Sequence, residues 1–385
     1  MHIRRQLTVA SPLTAANIAG ATMDTIARRD RSEQVRGALA TEFSAREVVL
    51  TDSGTSALVL ALRALVKPGA VVAMPAYACV DLISAARRAN VRVRLFDLDP
   101  LTLSPDMDSL QRVLAEGVSA LLVAHLYGFP ADMTAVMGAA REAGVPVIED
   151  AAQHACATIG GKSAGSFGDL TVLSFGRGKG TTSGRGGALL ARSPSIGSIS
   201  MLTRNSTSAS SAKDLAIAKA SWMLGRPSIY GLPASIPALH LGETVYHEAG
   251  EPQRMSPGAT ALLHRTLPGM HAAAAARRAN AVVLRDASDQ SRHLSEVREV
   301  EGAESGYLRF PVLLRGDIHD APTLGIARGY PRPLSAEPEM QQCLVASDEP
   351  LHGALKLANR LVTLPTHHMV TPSDIANMSK WLQQR

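Results

Sequence analysis

Long apolar runs are missing from this sequence. Nowhere in its 385 residues do about 18 apolar residues follow one another, so no segment is suited to span a bilayer as a helix. The opening stretch, MHIRRQLTVASPLTAANIAG, carries charge but no Leu-rich apolar core and makes a poor signal peptide. Cysteine is scarce: Cys79, Cys156 and Cys343 form no CxxC pair, which argues against a disulfide framework and a zinc site and fits a reducing cytoplasm. No metal is expected. Aromatic residues are only 4%, and the 39 basic against 34 acidic side chains form no basic block. Nucleic acid and membrane surfaces are therefore not implied as partners, while small anionic substrates remain compatible. Lysine is rare as well. Lys67, Lys162, Lys179, Lys213, Lys219, Lys356 and Lys380 stand against 32 arginines, so chemistry that needs an amine has seven candidates.

What is present is apolar mass, 46% of the residues, enough for a large core, in a chain long enough for two domains. From about 46 to 192 an apolar run, a turn and an amphipathic stretch alternate. Runs at 47–52, 91–99, 119–126 and 145–150 read as strands, with further apolar runs at 71–75, 169–174 and 187–191; 53–66, the stretch up to Asn90, 107–116 and 132–143 read as helices. Such alternation predicts a mostly parallel sheet with helices on both faces, whose ligands sit beyond the carboxyl ends of the strands. Residues 193–250, rich in Ser, Ala, Pro and Gly, read as a loop-rich insertion with one helix near 212–224. Helical stretches after Met255, strands near 307–314 and 360–364 and a helix from Pro372 predict a smaller C-terminal α/β domain. The expected division is 1–250, a large domain, and 251–385, a small one.

Four segments carry the candidate chemistry. In SGTSA (53–57) a glycine turn joins a strand to a helix, and free amides with the helix dipole make an anion site suited to phosphate. Thr55 and Ser56 add hydroxyls; for an isolated SGTS, plain N-capping is the commoner role. Asp150 ends the apolar run of EDAAQ's strand. A carboxylate there can pair with a ring nitrogen and keep it protonated, and a protonated pyridine withdraws electrons as pyridoxal phosphate (PLP) chemistry requires. Gln153 can donate to a neighbouring ring oxygen. The pair Glu149–Asp150 alone also suits an acidic cap or a magnesium ligand. Lys179, in SFGRGK (174–179), follows an apolar run inside a glycine-rich turn, where an amine becomes a usable nucleophile. A Walker phosphate loop fails by count, since Leu173 stands where its first glycine belongs and Gly180 follows the lysine. Lys162, in a polar turn, reads as exposed. His125, at a strand end, suits a substrate or cofactor contact or a packed, hydrogen-bonded histidine equally.

With HLYGFPADM (125–133), VIEDAAQ (147–153), GSFGDL (165–170), GRGGALL (184–190), RMS (254–256) and RLVTLPTH (360–367), the chain resembles the DegT/DnrJ/EryC1/StrS family of sugar aminotransferases over nearly its whole length except about 195–250. The resemblance implies PLP-dependent transferase fold type I and pyridoxal 5'-phosphate as cofactor. It implies Lys179, five residues after Ser174, as the lysine holding the cofactor as a Schiff base. Asp150 would pair with the pyridine nitrogen. Gln153, Ser174 and the helix start Gly54, Thr55 and Ser56 would complete the cofactor site, with Lys179 and Asp150 catalytic. Three positions depart from the family pattern. Cys79, with Tyr77 nearby, stands where an aromatic ring often stacks. Pro252-Gln253-Arg254-Met255 replaces Asn-x-Arg-Met, which in the family reaches the partner subunit's phosphate. GRGG replaces GEGG, placing Arg185 where an acid is common.

The implied function is amino transfer from glutamate to a nucleotide-linked keto-sugar in polysaccharide or secondary-metabolite biosynthesis, by a cytoplasmic homodimer. A sugar dehydratase of the same family would carry histidine in place of Lys179. A non-catalytic PLP- or sugar-nucleotide-binding homologue would not need Lys179, Asp150, Gln153 and Ser174 together.

Overall fold

Two helices precede the alternation of strands and helices, beyond the elements that the sequence pattern predicts. In the computed structural model, which describes residues 4–194, 196–236, 244–316 and 320–384, α1 (Ala15–Ile26) opens with a Thr14–Asn17 capping box and is followed by α2 (Ser32–Glu42). Then come β1 (Glu47–Thr51), α3 (Gly54–Leu65), β2 (Val71–Pro75), α4 (Asp81–Ala89), β3 (Arg92–Phe96), α5 (Met107–Ala115), β4 (Ala120–Ala124), α6 (Met133–Ala143) and β5 (Val147–Asp150). The short strands β6 (Thr158–Ile159) and β7 (Lys162–Ser163) precede β8 (Leu170–Ser174) and β9 (Gly187–Ala191).

Seven of these strands make one sheet in the order β1-β9-β8-β5-β4-β2-β3. β3, β2, β4, β5 and β8 pair in parallel. β9 runs antiparallel to both β8 and β1, so β1 points with the parallel set and every strand but β9 ends on the same edge. Period-two alternation covers both faces. Val49, Val72, Met74, Leu122 and Ile148 pack with Leu58 and Leu62 of α3 and Ile83 of α4. Their neighbours Ala73, Leu121, Val123 and Val147 pack with Val113 of α5 and Val136 of α6, while Val48 and Leu50 meet Val35 and Leu39 of α2.

The stretch expected as a loop-rich insertion is more ordered than its composition suggests. It contains α7 (Ser211–Leu224), capped by the Ser210 hydroxyl, and the short α8 (Gly231–Ala234). Leu215, Ala218 and Trp222, at helical spacing, join Ile18 and Ala21 of α1 and Leu262 of α9 (Pro257–Thr266) in one apolar cluster. Ser195 and residues 237–243 of this stretch lie outside the described residues. The long α10 (Met270–Asp289) leads into β10 (Leu294–Glu296), β11 (Ala303–Glu304), β12 (Phe310–Leu314), β13 (Ala327–Arg328), α11 (His352–Arg360), β14 (Leu361–Leu364) and α12 (Pro372–Gln383). A second sheet, β10-β12-β14-β13, is antiparallel throughout, with α10 packed on α12. β11 pairs with β6, tying this part of the chain to the loop beyond β5.

Candidate functional site

The strand ends that share an edge enclose a cavity of about 260 Å³. At the β1–α3 junction Ser53 is the N-cap of α3, its hydroxyl oxygen accepting the Ser56 N–H at 3.1 Å. Gly54 follows as the first helical residue. A Cβ there would lie 2.8 Å from the Ser174 Cβ, and one on Gly187 would lie 2.4 Å from the Ser53 carbonyl oxygen. Only glycine lets the ends of β8 and β9 close onto the start of α3. Gly54, Thr55 and Ser174 therefore border the same end of the cavity, where the first turn of a helix leaves amides without intrahelical partners.

At the tip of β5 two adjacent acids separate. Glu149 is fully buried. It accepts the N–H groups of Gly165, Phe167 and Gly168 (2.5, 2.9 and 2.9 Å) and faces His125 Nε2 at 2.8 Å. Burial opposes its charge, but the His125 contact, the backbone donors and nearby Arg192 outweigh it and hold the carboxyl at about 2. The Ala131 N–H donates to His125 Nδ1 at 3.1 Å, which leaves the ring proton on Nε2 toward Glu149. His125 borders the cavity with both nitrogens engaged, so it is a packed, hydrogen-bonded histidine. Asp150 turns to the cavity. Its Oδ1 accepts the Ala152 N–H at 3.0 Å, and Oδ2 has no partner among the described residues. Burial pushes this carboxyl up, against the Ala152 amide and the Lys179 charge.

Beyond β8 the chain turns through Gly178 (φ 71°) and brings Lys179 to the cavity. The Ser11 hydroxyl donates to the Lys179 carbonyl at 2.7 Å, and a Cβ on Gly180 would meet the Ala155 Cα at 2.9 Å. The lysine's position is thus set from both sides. Lys162, in β7, is exposed.

Of the expected site residues, Gly54, Thr55, Asp150, Gln153, Ser174 and Lys179 border one cavity. Ser56 does not: it is buried, and its hydroxyl oxygen accepts from the Ser53 hydroxyl at 3.0 Å. Cys79 borders the cavity with its thiol 3.4 Å from Asp81 Oδ2, and burial pushes that thiol far up, so it stays neutral. Tyr77 is fully buried and does not border the cavity. Arg254 bridges the Thr51 backbone, and the Gln253 N–H donates to Asp52 Oδ1 at 3.1 Å. Sequence reasoning missed Asp52, Asp81 and Tyr330 in the cavity wall. Tyr330 accepts from Gln153 Nε2 at 2.5 Å, and its N–H donates to the Tyr77 hydroxyl at 2.7 Å. The available signal was scarcity: of six tyrosines, Tyr77 and Tyr127 follow strand ends, and Tyr330 sits in a Gly-Tyr-Pro turn.

The chain belongs to the DegT/DnrJ/EryC1/StrS aminotransferase family, matching it over residues 19–383. Among similar characterised proteins is dTDP-4-dehydro-2,3,6-trideoxy-D-glucose 4-aminotransferase of Saccharopolyspora spinosa, 34% identical over 151 residues, 39% of this chain and 39% of that protein. Another is GDP-perosamine synthase of Caulobacter vibrioides, 34% identical over 145 residues, 37% of this chain and 39% of that protein. The chain thus covers 39% of the length of each of these relatives. Solved structures extend the likeness over the whole chain. The aminotransferase TlmJ from Streptoalloteichus hindustanus superposes with a TM-score of 0.74 at 21% identity, covering 99% of this chain and 98% of its own. The E. coli GDP-4-keto-6-deoxy-D-mannose-3-dehydratase with bound hydrated PLP gives 0.79 at 16% identity, covering 99% and 100%. At such identities the likeness establishes the fold, that of PLP-dependent transferases of fold type I.

Proposed function

We propose that this chain is a PLP-dependent aminotransferase that moves an amino group from glutamate to a nucleotide-linked keto-sugar. The observation that carries this reading is the convergence of Lys179 and Asp150 on one cavity whose far wall is the Gly54–Ser174 cradle.

The residues fit the cofactor. Asp150 is only 8% exposed and offers an unpartnered Oδ2; a protonated ring nitrogen is the donor such a buried oxygen needs. The cradle excludes a Cβ and presents the α3 amides with the Thr55 and Ser174 hydroxyls, a fit for a phosphate. Gln153 takes the Tyr127 N–H on Oε1 at 3.0 Å and gives one amide hydrogen to Tyr330, keeping the other for a ring oxygen. When bound, PLP supplies the electron sink for removing a proton from the carbon that bears the transferred nitrogen. Lys179 Nζ would hold the cofactor covalently and, once released by the amino donor, take that proton and return it. Asp150 would stay ionised against the ring nitrogen. His125, with no free nitrogen, would pack without acting as a base. A lysine at 179 favours amino transfer over dehydration, which needs no amine there to be displaced by a donor.

The reading includes a two-fold homodimer, the commonest closed assembly, and an amino-sugar product for a surface polysaccharide or secondary metabolite. Sedimentation at low concentration tests the assembly, and a fully active monomer would end that part. The chemistry is tested by borohydride reduction of the PLP-loaded protein followed by peptide mapping. The label should fall on Lys179, and Lys179→Ala should abolish both the label and the visible absorbance. A label on exposed Lys162 would overturn the assignment.

A further inference from the structure

The cavity wall carries more fixed negative than positive charge. Asp52, Asp81 and Asp150 face it against Lys179 and Arg185. In the reading above Lys179 is engaged in covalent chemistry, which leaves Arg185 as the remaining permanent cation. Arg185 is half-buried, and its guanidinium makes no hydrogen bond or ion pair with the described residues. A guanidinium has only donors and cannot shed its charge. Held in a concave wall and paired with no carboxylate among the described residues, it is placed to take an oxyanion.

Its place in the fold says which end of the cavity that oxyanion occupies. The Ser183 hydroxyl donates to the Arg185 carbonyl. On either side Gly184 and Gly186 turn at φ 81° and 135°. A Cβ on Gly186 would meet the Met255 Cε at 2.5 Å, so the turn is closely confined. Gly186 then bridges to Ser53, and Gly187 pairs with Ser174 in the β8–β9 register. The backbone that carries Arg185 is therefore pressed against Ser53, Gly54 and Ser174, the cradle suited to phosphate.

We infer that Arg185 is an oxyanion-binding residue and that its partner is the phosphate of the cofactor. The inference rests on the aminotransferase reading. With Asp150 facing the ring nitrogen, a dianionic phosphate shares the cavity with the Asp52 and Asp81 carboxylates and calls for a cation, and a guanidinium can meet two phosphate oxygens at once. The carboxylate of the amino donor and the diphosphate of a sugar nucleotide share this chemistry, so the test must separate the three.

Apo protein is titrated with pyridoxal 5'-phosphate and, separately, with pyridoxal, which keeps the ring and aldehyde but lacks the phosphate. Wild type, Arg185→Gln and Arg185→Lys are compared by absorbance and tryptophan fluorescence. Arg185→Gln should weaken the phosphorylated ligand roughly 10- to 100-fold, as loss of a charge-assisted contact implies, and leave pyridoxal unchanged. Arg185→Lys should fall between. Because the side chain has no partner among the described residues, thermal unfolding of the apo variants should match wild type. Equal affinity of wild type and Arg185→Gln for the phosphorylated ligand overturns the inference, as does equal weakening of both ligands. Weakened binding of glutamate or of a nucleoside diphosphate, with the cofactor unaffected, assigns the oxyanion to a substrate and also overturns it. Wild type that binds neither pyridoxal compound would sink the aminotransferase reading itself, a result distinct from a loss confined to the variants.

Discussion

Glu149 and Asp150 are neighbours at the tip of one strand, and they face opposite sides of the sheet. Glu149 shares its face with Val147 and the α5–α6 layer; Asp150 shares its face with Ile148 and the α3–α4 layer. On the first side a carboxylate meets three amides and an imidazole and is held at about 2. On the second side a carboxylate meets one amide, keeps an oxygen open to the cavity, and is pushed up by burial. Both are buried acids, so burial alone does not separate structure from function. What separates them is whether the protein itself supplies the donors. A saturated acid fastens the fold, and in the proposed function the unsaturated one takes the cofactor's ring nitrogen.

The same acid-to-amide change at the two positions breaks the comparison most directly. Asp150→Asn should still bind cofactor and lose roughly a hundred- to thousand-fold in the half-reaction with glutamate, the usual scale for deleting one preorganised charge. Near wild-type rates in stopped-flow would remove Asp150 from its role. Its folded-state carboxyl is raised, so ionisation opposes folding of the apo protein, and Asp150→Asn should leave urea stability at pH 7 unchanged or increased. A clear loss of stability would mean that Asp150 is another fastening acid.

Glu149→Gln should do the reverse. The amide puts an NH₂ group among backbone donors and leaves buried partners unpaired, at a cost of about 3–5 kcal/mol in urea unfolding at pH 7. The carboxyl is lowered from its ordinary 4.5 to about 2. Its contribution is therefore complete above pH 4.5 and is lost as pH falls toward 2, amounting to about 3 kcal/mol at 1.36 kcal/mol per unit. The gap between wild type and variant should narrow over that window. A gap independent of pH would show that shape, and not charge, carries the effect.

The alternation that distinguishes the two acids was legible in the sequence, because VPVIED reads as a strand and successive residues of a strand face opposite ways. Which face opens on a cavity was not, since that depends on where α3 and β8 close, and closure is set by glycines far apart in the chain. Lys179 was legible because a glycine-rich turn after an apolar run is a local pattern; Ser174 was reached only through the family resemblance. α7 was legible as a helix near 212–224; what its Ser- and Ala-rich sequence did not show is that α1 and α9 are laid against its apolar residues. Arg185 was visible as a departure from a family pattern, but its lack of a partner among the described residues is a fact of three dimensions. Tyr330 left no periodic trace, because a turn residue is brought to the site by the second sheet and not by its neighbours in sequence.

Tyr330 and Gln153 form an intermediate case, a polar group satisfied by a side chain of the second sheet's segment. Gly329 is needed to seat the tyrosine, since a Cβ there would fall 2.2 Å from the Tyr77 hydroxyl. The ring meets Tyr77 edge-on at 5.4 Å, so Tyr330→Phe keeps the packing and removes only the oxygen that accepts from Gln153 Nε2. Because that amide borders the cavity, water can replace the lost acceptor, and the expected cost is small, about 0.5–1.5 kcal/mol. Gln153→Ala removes the same bond from the other side, together with the one from the Tyr127 N–H. In urea unfolding of the single and double variants, the double should therefore lose less than the sum of the two. Strict additivity would mean that the tyrosine and glutamine are independent, and that the second sheet's segment reaches the cavity without holding any part of the cofactor site in place.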